Sequence, residues 1–217
     1  MSALRFTLLA DGPTDDVLLH PLRWLLIYNN VMRPIEPAFA DLRQLPAPPR
    51  RLEDKVALAL ELYPCDLLFI HRDAERQPRE DRITEIGRAV QRMSSDLFAS
   101  RPYVCVVPVR MTEAWFLFDE PAIRRAAGNP AGRSILSLPP LSKTEALPDP
   151  KETLHDLLRA ATELPLRRLK RFSPVQASRR LAELIEDFSP LRYLPAFAAL
   201  ETEVRSIIQT AGWIGGP

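Results

Sequence analysis

Three apolar runs in this chain each lead into acid. "LRFTLLA" gives way to Asp11-Gly12, "LLFI" to His71-Arg72-Asp73-Ala74-Glu75, and "VVPV" passes through Arg110-Met111-Thr112 to Glu113. Carboxylates brought close together repel, and such a cluster persists where a cation or a shared proton compensates it. Hard divalent ions, Mg²⁺ above all, take carboxylate and water oxygens and assist phosphoryl chemistry. The candidate metal set is therefore Asp11, Asp73, Glu75 and Glu113, for Mg²⁺ or Mn²⁺. His71 could serve as a general base, and Arg72 could steady a phosphate. Each residue also has a plainer reading. Asp11 could cap the following helix, Glu113 could be a first-turn acid, Glu75 could be solvated within "ERQPRED", and His71 could be a satisfied strand-end histidine.

The elements that must position these residues read as alternating strands and helices. "LRFTLLA" (4–10), "CDLLFIH" (65–71) and "YVCVVPV" (103–109) are short continuous apolar runs, which suits strands buried on both faces. Between them, "VLLHPLRWLLIYNN" carries apolar residues at helical spacing, with Pro21 requiring a kink or a fresh start. "LEDKVALALELY" (52–63) and the amphipathic 79–99 segment are helices, and "FADLR" (39–43) could be a short edge strand. This alternation predicts an α/β fold with a mainly parallel sheet flanked by helices. In such sheets ligands bind beyond the carboxyl ends of the strands, which gathers the three acidic strand ends at one edge. Residues 1–128 form this unit. Residues 129–150 read as a linker or irregular connection, and 151–217 as an all-helical C-terminal lobe.

"LLADGPTDD", "LLFIHRDAE" and "VPVRMTEAWFLFD", in that order and spacing, resemble the Toprim-like (Rossmann-type) superfamily. They look most like a bacterial domain-of-unknown-function family within it, whose members can be encoded beside ATPases in defence-type operons. Asp11-Gly12 stands where the Toprim pattern has Glu-Gly, and Asp73-Ala74-Glu75 where it has Asp-x-Asp. The resemblance covers residues 4 to about 120. It implies a Mg²⁺-dependent enzyme, nuclease-like, that makes or breaks phosphodiester bonds, with Asp11 as the acid/base group and Asp73 among the acids that hold the ion. The chain departs from the pattern at Asp11 and at Glu75, and the first change shortens an acid/base side chain by a methylene. The alternatives are a non-catalytic subunit that partners an ATPase and a small-ligand-binding α/β protein.

The bulk properties set limits. Lys and Arg number 29 against 28 Asp and Glu, so only local clustering can argue for nucleic acid. One cluster exists: "LRRLKRFSPVQASRR" (166–180) holds six Arg or Lys and no acid. Arg167, Arg168, Lys170 and Arg171 could track a phosphate backbone, or could be a solvated helix face. The 22 Pro against 7 Gly predict stiff connections and few phosphate-cradling loops, and no P-loop, GxSxG, HExxH or CxxC motif occurs. Cys65 and Cys105 sit in or beside strand runs as buried thiols of a reducing compartment. His20 and His155 complete no metal motif, and Trp115, Phe116 and Phe118 read as packing rather than a base-stacking platform. The first apolar run is too short for a membrane span or a signal peptide, so the expected location is cytoplasmic.

Overall fold

A computed structural model describes residues 2–93 and 101–214. Its centre is a four-stranded, all-parallel sheet in the order β2-β1-β3-β4, formed by β1 (Leu4–Leu9), β2 (Ile35–Ala40), β3 (Leu67–His71) and β4 (Tyr103–Val106). Phe6 of β1 lies opposite Leu67, and His71 of β3 opposite Val106. One edge strand is β2, which starts four residues before "FADLR" and ends three before it: it runs from Ile35 to Ala40. Pro37 is tolerated there because an edge strand leaves one side of its backbone unpaired.

Alternation along the strands sends side chains to two cores. Phe6 and Leu8, Leu67 and Phe69, and Val104 and Val106 belong to one; Leu9, Leu68, Ile70, Cys105 and Val107 belong to the other. The second core is covered by α2 (Leu52–Leu62) and α3 (Arg79–Arg92) through Val56, Ala59, Leu60 and Ile86. Residues 94–99 of the expected helix lie outside the described residues.

The first core is larger. It takes Leu22, Leu25 and Leu26 from α1 (Leu19–Tyr28), which follows a short 3-10 turn at Asp15–Leu18. Pro21 sits in the first turn of α1, where its missing N–H costs nothing, so the helix begins afresh rather than kinking. The same core takes Ala122 and Ile123 from α4 (Glu120–Ala126) and Leu154 and Leu158 from α5 (Pro150–Ala161). Beyond a one-turn α6 (Leu166–Leu169), α7 (Pro174–Leu184) adds Leu181 and α8 (Pro195–Thr210) adds Phe197, Leu200 and Val204. Helices from the last third of the chain therefore cover one face of the sheet. Between α4 and α5 the proline-rich connection is ordered around a 3-10 turn at Leu141–Ala146, with Leu136 and Thr144 buried.

Candidate active site at the carboxyl edge of the sheet

The order in which strands are added reverses between β1 and β3: β1 is followed by β2 on one side, and the chain then returns to place β3 on the other. The crevice at that switch point lies beyond the carboxyl ends of β1 and β3. Here the parallel ladder continues past the strands. Arg72 N–H donates to Val106 O at 3.2 Å, Ala74 N–H to Pro108 O at 3.1 Å and Glu75 N–H to Arg110 O at 2.9 Å. The "HRDAE" segment is thus zipped to "VPVR" as two adjoining strand extensions, and not a free surface turn.

His71 and Asp73 point to the same place from this ladder. His71 is 2% exposed, and its Nδ1 donates to Val106 O at 3.0 Å, since a carbonyl can only accept. Nε2 then faces the Thr112 hydroxyl at 3.3 Å, Asp73 Oδ1 at 3.5 Å and Asp15 Oδ2 at 3.7 Å. Asp73 Oδ1 accepts from the Thr112 N–H at 3.0 Å and lies 3.3 Å from the Thr112 hydroxyl. Burial pushes the Asp73 carboxyl up to about 6; Asp15 and Glu113 push the same way, while His71 and the Thr112 hydrogen bond pull it down. A carboxyl held between two other acids resists ionisation because each new charge is placed in a negative field.

The sequence-derived set is divided by the structure. Asp73 and Glu113 act on one another, joined by Asp15 from the 3-10 turn after β1. Asp15 is held by its own turn: Oδ2 accepts the Gly12 N–H at 2.8 Å. A side chain at Gly12 would stand 3.0 Å from that oxygen, which explains the glycine. Asp11 is engaged elsewhere. Its carboxylate is 2.6 Å from Lys55 Nζ and 2.9 Å from Arg72 Nε. Arg72, which also pairs with Glu85 at 3.1 Å, is therefore neutralised by carboxylates rather than open to a phosphate. Glu75 adopts a left-handed backbone (φ 55°), is 66% exposed at its side chain, and lies 3.6 Å from Arg82. Both of these acids were expected in the cluster; pairing with nearby cations removes the first, and a turn in the backbone removes the second.

The last third of the chain closes the crevice. Asp15, Glu113 and Thr112 line a cavity of about 20 Å³ together with Lys151 and His155 of α5 and Arg179 of α7. Lys151 Nζ is 3.6 Å from Glu113 Oε1. Arg179 donates to Pro13 O at 2.6 Å and contacts Asp16 Oδ1 at 3.3 Å, which fastens α7 to the turn after β1. Val17, Phe116, Leu154 and Val175 form the apolar part of the wall, with Thr14 and Ser178 beside them. Lys151 occupies the first turn of α5, where the positive end of the helix dipole disfavours a cation; that misfit was a signal available in the sequence.

Asp15, Asp73 and Glu113 offer the hard oxygen donors that Mg²⁺ prefers, and their mutual repulsion is of the kind a cation relieves. In spacing they are not a formed centre: among the described residues no three His, Cys, Asp or Glu side chains stand together as a metal-holding group. The basic stretch is elsewhere on the surface. Arg167, Arg168 and Arg171 line a separate depression of about 290 Å³, and all three are exposed, as is Lys170.

Family models, curated proteins and solved structures give no match to this chain. The reading of function thus rests on the site. Among the described residues, no helix is long and apolar enough to cross a membrane.

Proposed function

We propose that this protein acts on phosphodiester bonds, as a nuclease-like enzyme of Toprim-like type, at the crevice around Asp73. One observation carries the reading: Asp15 and Glu113, the two acids that help burial to raise the Asp73 carboxyl, line a narrow, largely apolar cleft with the cationic side chains of Lys151 from α5 and Arg179 from α7. A phosphodiester is a compact anion, and Lys151, whose contact to Glu113 is a loose 3.6 Å, is the cation that supplies the attraction to bind it. The acids on the opposite side serve proton transfer and the positioning of a nucleophile. Asp73 is suited to hold a proton near neutral pH, because its carboxyl titrates at about 6. Its position is fixed by Thr112, and that of His71 by Val106 O. Asp15, Asp73 and Glu113 offer oxygen donors for Mg²⁺ or Mn²⁺, but as spaced they form no metal-holding group, so an ion would have to draw them together before it could neutralise charge on the phosphate.

The test is hydrolysis of bis(p-nitrophenyl) phosphate and of labelled single-stranded DNA and RNA, with and without Mn²⁺, by wild type and Asp73→Asn. Turnover in wild type that falls at least a hundredfold in the variant supports the proposal. Equal rates in both, or none in wild type, would overturn it.

A competing reading is a non-catalytic subunit that partners an ATPase. The pairing of Asp11 with Lys55 and Arg72 favours it, since that pairing occupies the position where the resemblance places the acid/base group. An inert wild type that co-purifies with an ATPase would select this reading.

A further inference from the structure

The geometry points to His155 as the general base of the cleft, taking the proton from an attacking water. This rests on the phosphodiester reading above. His155 is 9% exposed and lines the cavity beside Asp15, Glu113 and Lys151. Neither of its ring nitrogens has a hydrogen-bond partner among the described residues. Nor are they sealed in the core, since the buried side-chain atoms left without partners belong to other residues. A buried imidazole ordinarily finds a partner; this one has no hydrogen-bond partner among the described residues and lines the cavity.

The surroundings suit a base. Lys151, Leu154 and His155 fall at i, i+3 and i+4 of α5 and form one face of it, turned to the cleft. Burial, with Arg159 and Lys151 adding to it against Glu113, moves the His155 pKa down. The ring is accordingly neutral at physiological pH, with one nitrogen free to accept. A cavity of about 20 Å³ has room for roughly one water, which needs on the order of 10–15 Å³. The residue that the resemblance offers for this role, Asp11, is held by Lys55 and Arg72.

The step balances as follows. The water oxygen forms a bond to phosphorus as one phosphorus–oxygen ester bond breaks. The water's proton passes to the free ring nitrogen. The departing oxygen takes a proton from solvent, and His155 later returns its own proton there.

The experiment has two arms. In the first, Mn²⁺-supported hydrolysis of bis(p-nitrophenyl) phosphate is measured for wild type, His155→Asn, His155→Ala and Asp73→Asn, each shown to be folded by its thermal transition. Loss of a general base lowers the rate by about 10²–10⁴, and added imidazole restores a measurable part of it to His155→Ala alone. His155→Asn within about threefold of wild type, alongside an inactive Asp73→Asn, overturns the assignment and leaves the phosphodiester reading standing. In the second arm, the ¹⁵N-labelled histidine ring resonances are followed as inorganic phosphate is added. A shift of the resonances that disappear in His155→Asn places the ring at the anion, even if wild type shows no turnover and the phosphodiester reading falls. Resonances that do not move, in a wild type without turnover, end both.

Discussion

Lys55 Nζ lies 2.6 Å from Asp11 Oδ1, and this pair decides which acids share the crevice. Asp11 sits directly after β1, where the chain pattern placed it in the acidic cluster, but a lysine from α2 reaches it first. Exposed ion pairs contribute about 0.2–1 kcal/mol each, and the Asp11 side chain is 43% exposed. Asp11→Asn should lower stability by no more than about 1 kcal/mol and change phosphodiester turnover less than about tenfold. A loss as large as that of Asp73→Asn would show that Asp11 leaves Lys55 to take part in the reaction.

Asp73→Asn should stabilise the protein at neutral pH. The carboxyl moves from 3.8 to about 6 on folding, so the folded state holds its proton more tightly than the unfolded state does. That preference favours folding below about pH 4 and is lost as pH rises through 6. The variant removes the cost of ionisation, so its advantage over wild type should open between pH 4 and 6 and level off above. With 31% of the side chain exposed, the plateau should be about 1–2 kcal/mol. Thermal melts of both proteins from pH 4 to 8 would measure it. A gap that does not vary with pH would deny the shift.

Glu75 contributes little to the cleft, and its backbone prefers glycine. Glu75→Gly should leave stability unchanged or raise it by up to about 1 kcal/mol, relief of the left-handed conformation opposing the greater freedom of the unfolded chain. Glu75→Gln should keep any Mn²⁺-induced rise in melting temperature that wild type shows, while Asp73→Asn loses it. A diminished response in Glu75→Gln would return this residue to the acidic cluster.

The arginine depression on the far side of α6 makes a separate prediction. If a strand of nucleic acid runs across it, replacing Arg167, Arg168, Lys170 and Arg171 together should lower the salt dependence of binding by up to about 3 in the log–log slope for a single strand. Filter binding across a salt series checks this, and an unaltered slope would leave the patch as a solvated surface.

The strands were legible in the sequence because burial on both faces leaves little room for polar residues: Leu4 to Leu9, Leu67 to His71 and Tyr103 to Val106 stand out as apolar runs. The helices with one apolar stripe were legible for the same reason. The edge strand was not, since "IEPAFA" carries a glutamate and a proline that only its exposed position permits. In the crevice, Asp73 and Glu113 could be found from their places after strands. Asp15, Thr112, His155 and Arg179 could not, because each reaches the site through tertiary packing, and Lys151 left only the sign of a cation in the first turn of its helix. Asp15 does so through a turn closed on Gly12, and His155 through a helix some eighty residues beyond β3, a separation of roughly half a domain length. The same packing explains the place of Asp11, whose partner Lys55 belongs to a segment that the sequence marks only as a helix.

The core that joins Leu4 and Phe6 to Leu200 and Ile208 has a consequence for the order of assembly. Chains are synthesised from the amino end at about 5–20 residues per second. Until α8 has emerged, the core around Phe6, Phe69 and Val104 lacks Phe197, Leu200, Val204 and Ile208, and contacts so distant in sequence close slowly. The nascent sheet is thus a substrate for chaperones during the seconds in which its lid is still inside the ribosome. Pulse proteolysis of chains stalled at increasing lengths should find protection of β1 and β3 only once residues of α8 are free.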